Sequence, residues 1–244
     1  MPPSPSWKEH LDALPLCAAD DVIGVRDLLV IAPHPDDESL GCGGLLAWAA
    51  AHGRRARVVM LTDGERSHPG SEKFPPSRLA GVRRNEALNA GAKLGLADGD
   101  FAFLHLPDGT LDALTPSQVD GVVQTLREWI ALLAPVLVCV TASSDMHGDH
   151  RAAHALALAV TRDAAGCMLL SYPVWSWLEP GAAVLPPGRR VDITGYRGAK
   201  RAAIHTHASQ LGHLIDDAAE PFALPAALLD CVDRNYEVLL DESV

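Results

Sequence analysis

Leu28-Leu29-Val30-Ile31-Ala32-Pro33-His34-Pro35-Asp36-Asp37-Glu38 is an apolar run that ends in one imidazole and three carboxylates. Its first five residues show no apolar/polar alternation, the pattern of a strand buried on both faces of a parallel sheet. Its end sets like charges side by side. Two carboxylates about 5 Å apart repel by roughly 3 kcal/mol at an effective dielectric near 20, so a proton or a cation normally offsets the pair. A metal ion is one answer, and a polar loop or helix cap without a ligand is the other. A second cluster elsewhere in the chain decides between them.

Outward from this stretch, strands and helices alternate. Gly41-Cys42-Gly43-Gly44 is expected to open an Ala/Leu-rich helix that ends near His52-Gly53, and Arg57 to Thr62 is a second strand finishing in Asp63-Gly64-Glu65. A Ser/Pro/Gly-rich loop, Arg66 to Ser77, leads to a helix from about Arg78 to Leu94. Phe101 to Leu106 is a third strand, stopping at Pro107-Asp108-Gly109. A helix from about Ser117 to Leu133 and a fourth strand, Val136 to Thr141, follow. Met168 to Tyr172 and Arg190 to Ile193 read as further strands, Tyr196 to Ser209 and Leu224 to Asp230 as helices. Such alternation implies right-handed crossovers and a mainly parallel sheet covered on both faces, a Rossmann-like three-layer α/β/α architecture. The whole chain is expected to form one domain, 1–244, with an N-terminal arm (1–26), a core (27–172) and a C-terminal continuation (173–244). Polar residues after the strands then converge on the edge where open α/β sheets place their sites.

Composition narrows the class. A chain of 244 residues buries roughly 70–75% of its unfolded surface without needing staples, and 48% hydrophobic residues with 5% aromatics describe an Ala/Leu/Val-packed globule. The net charge of -11 argues against nucleic acid as a partner, which needs a cationic surface. Five cysteines without a CxxC pair read as reduced thiols. The Pro-rich start has no cationic or apolar signal segment, and the longest apolar stretch, Trp129 to Val140, is interrupted by Pro135. A soluble, cytoplasmic protein without a transmembrane segment is expected, its oligomeric state, including a homo-oligomer, left open.

The second cluster is His147-Gly148-Asp149-His150, after the fourth strand. Imidazole nitrogen and carboxylate oxygen are zinc ligands, and a hydrolytic zinc keeps three protein ligands with one open position. His34, one of the two aspartates and one histidine of this loop make such a set. His150 and His154 also stand at helical spacing and could both face a metal. Spacing alone leaves the choice of ligands open.

These two loops together resemble the LmbE-like, or PIG-L-type, zinc-dependent N-deacetylases. Weaker family motifs occur in the same order: Arg83-Arg84-Asn85-Glu86 with Leu94-Gly95, Asp108-Gly109-Thr110-Leu111, Val191-Asp192-Ile193-Thr194, and Lys200 with His207-Ala208-Ser209-Gln210. The resemblance spans roughly Leu28 to Gln210. It implies that His34, Asp37 and His150 bind zinc, with Fe2+ or another divalent metal as the alternative, and that Asp36 is the general base. It implies that His147 stabilises the oxyanion or protonates the leaving amine, with Asp149 holding its imidazole and keeping it cationic. Arg83 resembles the arginine that contacts substrate, Asp108 could accept bonds from sugar hydroxyls, and Glu38 would support the site by bonding backbone groups. The implied activity is removal of an N-acetyl or other N-acyl group from a small-molecule amino sugar or glycoconjugate by metal-activated water.

Two competing functions share this sequence. Gly41-Cys42-Gly43-Gly44 after a strand suggests a dinucleotide-binding oxidoreductase, although Leu46 stands where that fingerprint needs Gly or Ala. A non-catalytic sugar-binding module of the same fold is the other, opposed by the complete set of His34, Asp36, Asp37, His147 and His150. Trp175 and Trp177 share a face if Val174 to Leu178 is extended, where a sugar ring could stack or the core could pack. Arg189, Arg190, Arg197, Lys200 and Arg201 read as a solvated cationic face, and His205, His207 and His213 as structural or peripheral.

Overall fold

The computed structural model describes residues 6–180 and 186–242. In chain order the elements are α1 (Trp7–Ala13), β1 (Leu16–Ala18), α2 (Ala19–Ile23), β2 (Asp27–Ala32), α3 (Asp37–Ala51), β3 (Ala56–Thr62), α4 (Pro76–Leu94), β4 (Phe101–Leu106), α5 (Pro116–Leu133), β5 (Val136–Thr141), α6 (Gly148–Thr161), β6 (Cys167–Tyr172), β7 (Gly188–Asp192), α7 (Arg197–Ile204), α8 (Ala226–Val232) and β8 (Tyr236–Leu240). The strands form one sheet in the order β1-β7-β8-β6-β5-β2-β3-β4. Every pairing is parallel except those of β8, which runs antiparallel between β6 and β7.

The unbroken apolar strands follow from burial on both faces. In β2, Leu28, Val30 and Ala32 enter one core while Leu29 and Ile31 enter the other, because successive side chains of a strand point to opposite faces. The first core is covered by helices that include α3 and α7, and the second by α5 and α6. The result is the expected three-layer α/β/α arrangement. Among the described residues, no helix is long and apolar enough to cross a membrane.

Four local expectations are corrected. Helix α3 starts at Asp37, not Gly41: the Asp36 carbonyl accepts from the Ser39 and Leu40 amides (3.0 and 2.9 Å), so the carboxylate cluster itself forms the first turn. The helix N-terminus favours negative charge there. The supposed arm is integral, since β1 pairs in register with β7 and Trp7 and Leu11 of α1 are buried in the first core; Met1–Pro5 of it lie outside the described residues. Trp175 to Leu178 is a single 3-10 turn, not an extended segment, because Asp145 accepts the Val174 and Trp175 amides (3.3 and 2.9 Å) and bends the chain. Trp177 therefore packs in the core while Trp175 faces a cavity. Finally, Tyr196 to Ser209 is not one helix: α7 stops at Ile204, and a separate turn, Ala208–Gln210, follows.

Strand β8 has no counterpart in the sequence reading, and it changes the meaning of the cationic C-terminal segment. Lys200 is buried, its ammonium 2.7 Å from a Glu237 carboxylate oxygen on β8. Glu237 also accepts the Gly44 and Leu45 amides of α3 at 2.7 and 2.9 Å. Arg197 and Arg201 pair with Asp233 instead of standing free.

The glycines of α3 are explained by packing. A Cβ on Gly41 would lie 2.0 Å from the Tyr172 ring, and one on Gly44 2.5 Å from Ile193. They sit inside the helix, after its first turn, so they do not form the phosphate-facing turn that a dinucleotide fingerprint requires.

Candidate active site

The loops after β2, β3, β4 and β5 meet above the sheet around a cavity of about 260 Å³ lined by His34, Asp36, Asp37, Arg83, Asp108 and His147 among others. Parallel strands bring their C-terminal ends to one edge, so residues more than a hundred positions apart become neighbours. Asp37 takes the central place. Its Oδ2 accepts the His34 amide at 3.0 Å and lies 3.2 Å from His34 Nδ1 and 3.3 Å from His150 Nε2. Both imidazoles are buried, and His150 is fully so.

His150 carries the feature most telling for a cation. Neither of its ring nitrogens has a hydrogen-bond partner among the described residues, although carboxylate oxygens of Asp37 and Asp145 stand 3.3 Å away on either side. At that alignment the contacts are electrostatic, not hydrogen-bonded. A buried nitrogen without a partner is costly, and a nitrogen facing a carboxylate and a second imidazole is a donor set suited to a divalent metal. Two groups of donor atoms lie within 4.8 Å of one another, His34 with His147 and His150 and His34 with Asp108 and Asp149, and Asp37 touches members of the first through its contacts with His34 and His150. His34 belongs to every set.

The electrostatics reflect this crowding. Burial disfavours charge on Asp37, but the His150 and His34 imidazoles overcome it and hold the carboxyl well below its usual range. Against the same burial, Asp37 and Asp145 push His150 up to about 9. Burial pushes Asp36 up to about 6, with Arg83 opposing and Asp37 reinforcing. Burial raises Asp108 too, but its contact with His34 brings it down to about 2.

Asp36 caps α3 with φ 148° and ψ -29°, a backbone conformation rare for an L-residue. Two neighbours hold it there. The Glu38 carboxylate accepts the Asp36 amide at 3.0 Å. Arg83, on α4, donates to the Pro35 carbonyl (2.7 Å) and the Gly64 carbonyl (2.9 Å), and its Nη2 lies 3.2 Å from Asp36 Oδ1. Arg83 is buried against the Asp36 loop, and Glu86 is buried against Ser209. Glu38 in turn faces His207, whose Nε2 is 3.4 Å from its Oε1.

The position of Asp149 departs from expectation. Its carboxylate accepts the Gly109 and Leu111 amides (2.7 and 2.9 Å) and lies 3.2 Å from His34 Nε2, so it is engaged away from the His147 ring. What touches the ring is the Asp149 backbone amide, which donates to His147 Nδ1 at 3.2 Å because His147 is the N-cap of α6. A neutral imidazole that accepts at Nδ1 carries its proton on Nε2. An imidazole that accepts at Nδ1 is neutral, and burial, with His34 and His150 beside it, lowers the His147 pKa in the same direction, against the expected cationic ring.

The sequence reading missed Asp145. It is buried, accepts the His147 amide at 3.1 Å, and backs His150 from the side opposite Asp37. A carboxylate five residues before a candidate ligand histidine in the same loop was the available signal, overshadowed by Asp149. Arg66, Ser67 and Gln210 also line the cavity and were not assigned a role. Asp63 and Glu65 point elsewhere, to His105 and to the Asp108 amide.

Residues 29–161 match the family model described as PIG-L: GlcNAc-PI de-N-acetylase. A 1D-myo-inositol 2-acetamido-2-deoxy-alpha-D-glucopyranoside deacetylase of Mycobacteroides abscessus is 29% identical over 88% of this chain and 92% of its own length. Among solved structures, the zinc-inhibited form of teicoplanin deacetylase Orf2 superposes with a TM-score of 0.66 at 21% identity, covering 88% of this chain and 97% of its own. N,N'-diacetylchitobiose deacetylase from Pyrococcus horikoshii gives a TM-score of 0.59 at 22% identity, over 86% and 78%. At these identities the structural matches establish the common fold.

Proposed function

We propose a specific chemistry for a chain that belongs to the PIG-L family of de-N-acetylases and is, by class, an amide hydrolase. It removes an N-acetyl group from a small-molecule amino sugar or glycoconjugate, acts as one domain (1–244), and works in the cytoplasm. His34, Asp37 and His150 hold a divalent ion, zinc before iron. The observation that carries this is the Asp37 oxygen set 3.2 and 3.3 Å from nitrogens of two buried imidazoles, one of which has no hydrogen-bond partner among the described residues. When bound, such an ion supplies Lewis acidity, polarising the acyl carbonyl and bringing the pKa of a water to about 7.

The protein groups do the rest. Asp36 takes a proton from the attacking water, and the same carboxyl then hands it to the departing nitrogen, so that one acid and one free amine leave and the site returns to its starting state. Arg83 holds the Oδ1 edge of Asp36, leaving the other oxygen for that proton. His147 offers Nε2–H to the developing oxyanion from the cavity wall. Of the two roles that the resemblance implies for His147, this is the oxyanion donor and not the leaving-group acid. Asp145 and Asp149 orient His150 and His34 respectively, as carboxylates behind ligand imidazoles do. Asp108 faces the same cavity, where it accepts sugar hydroxyls or supports His34.

The test is a deacetylation screen with zinc-loaded protein over N-acetylglucosamine conjugates (inositol, malate, chitobiose and glycopeptide aglycones), reading out free amine. Release from at least one conjugate, abolished by chelation and restored by zinc, is expected. Absence of release from all of them by metal-loaded, folded protein would contradict the proposed substrate class.

A further inference from the structure

We infer that Gln210 is a substrate-binding residue whose side-chain carbonyl accepts a hydrogen bond from a hydroxyl of the sugar unit, held ready for it by Ser209 and Glu86. This rests on the amino-sugar substrate proposed above and names the group that reads it.

Gln210 is 1% exposed yet lines the cavity shared with Asp36 and His34. Ser209 Oγ has one proton, and it is committed: Oγ donates to Glu86 Oε2 at 2.6 Å. Ser209 Oγ, 2.9 Å from the Gln210 amide, must therefore accept from it, which fixes Nε2 on that side and removes the ambiguity of an amide flip. The same Nε2 reaches Ser67 Oγ at 3.3 Å. Both amide protons are thus directed at serine oxygens, and Oε1 is left without a protein partner among the described residues. Glu86 is anchored a second time by the Ser209 amide at 2.8 Å. An acceptor so fixed, on the wall of a reaction cavity, is complementary to a donor on the ligand. A hydroxyl is the donor that an amino sugar presents repeatedly. Trp175, on the same cavity, gives the apolar surface against which a pyranose ring packs.

The experiment is a cycle of enzyme and ligand changes. Deacetylation of N-acetylglucosamine methyl glycoside and its 3-, 4- and 6-deoxy analogues is measured with the zinc-loaded wild type and with Gln210→Met, which keeps length and removes the amide. Wild type should lose about 10-fold in kcat/KM on one deoxy analogue, the size of one net hydrogen bond to a neutral partner. Gln210→Met should lose about the same on the parent sugar, mostly in KM, keep its zinc content, and no longer distinguish that analogue from the parent. Ser209→Ala, which frees the amide to turn, should show a weaker form of the same pattern and serves if Gln210→Met does not fold. If the variants discriminate among the deoxy sugars as wild type does, or keep wild-type KM, the role of Gln210 is wrong while the deacetylase proposal stands. If zinc-loaded wild type neither binds nor deacetylates any amino-sugar probe, both fall.

Discussion

Asp36 is where the residue scale is most informative. Its φ of 148° is held by Glu38 on its amide, by Arg83 on its side chain, and by Arg83 again on the Pro35 carbonyl. Strain of this kind costs on the order of 1–3 kcal/mol and persists only where neighbours over-determine it. Asp36→Asn keeps the shape and removes the proposed base, so kcat should fall about 10²- to 10⁴-fold with zinc content and melting temperature near wild type; an unchanged kcat would remove Asp36 from the mechanism. Arg83→Met, by contrast, leaves two carbonyls and a carboxylate unpaired in a buried setting. It should destabilise by about 3–5 kcal/mol in urea unfolding and lower activity as well, and Arg83→Lys should rescue little, because a point charge cannot reproduce the planar fork. The cluster from His34 to Glu38 was legible in the sequence as chemistry because charge repulsion demands an explanation. The partners of Asp149 and the buried duty of Arg83 were not, since they depend on which loops meet across the sheet edge.

At the scale of elements, α3 shows what periodicity can and cannot say. Its residues from Asp37 to Ala49 are buried throughout, so there is no polar face to give the helix away, and glycines placed the expected start four residues late. Those glycines answer to close packing. Gly41→Ala gains up to about 1 kcal/mol of helix propensity but sets a methyl 2.0 Å from Tyr172, and overpacking of that kind costs about 1–3 kcal/mol. Net destabilisation is expected. Gly81 in α4 is the control: nothing lies within 4 Å of its Cβ position, so Gly81→Ala should stabilise by about 0.5–1 kcal/mol. Thermal melts of the two variants that move in the same direction would refute the packing account. The central strands were legible because burial on both faces leaves an unbroken apolar run. Strand β8 escaped notice because it is short, carries Glu237 as its second residue, and pairs antiparallel only in the folded sheet.

Across the whole molecule, buried charge is managed in two ways. Outside the cavity lining, Lys200 and Glu237 satisfy each other and tie α7, β8 and α3 together. Breaking one partner, as in Lys200→Met, should cost about 3–5 kcal/mol, and the double variant Lys200→Met with Glu237→Leu should cost less than the single one by the logic of unpaired buried charge; a double variant worse than the single would contradict that pairing. At the cavity, Asp36, Asp37, Asp108, Asp145 and Asp149 gather around two histidines, and the proposed ion offsets them. Zinc at a hundred times its dissociation constant adds about 2.7 kcal/mol, so chelation should lower the melting temperature by roughly 5–10 °C in a chain of this size. No shift on chelation of zinc-loaded protein would speak against a resident metal. The most direct measurement of the central claim is a crystal structure of the zinc-loaded protein with anomalous data at the zinc edge. The account predicts one strong peak ligated by His34, Asp37 and His150 with Asp36 facing it; a peak ligated by His34, Asp108 and Asp149, or no peak in the cavity, would contradict it.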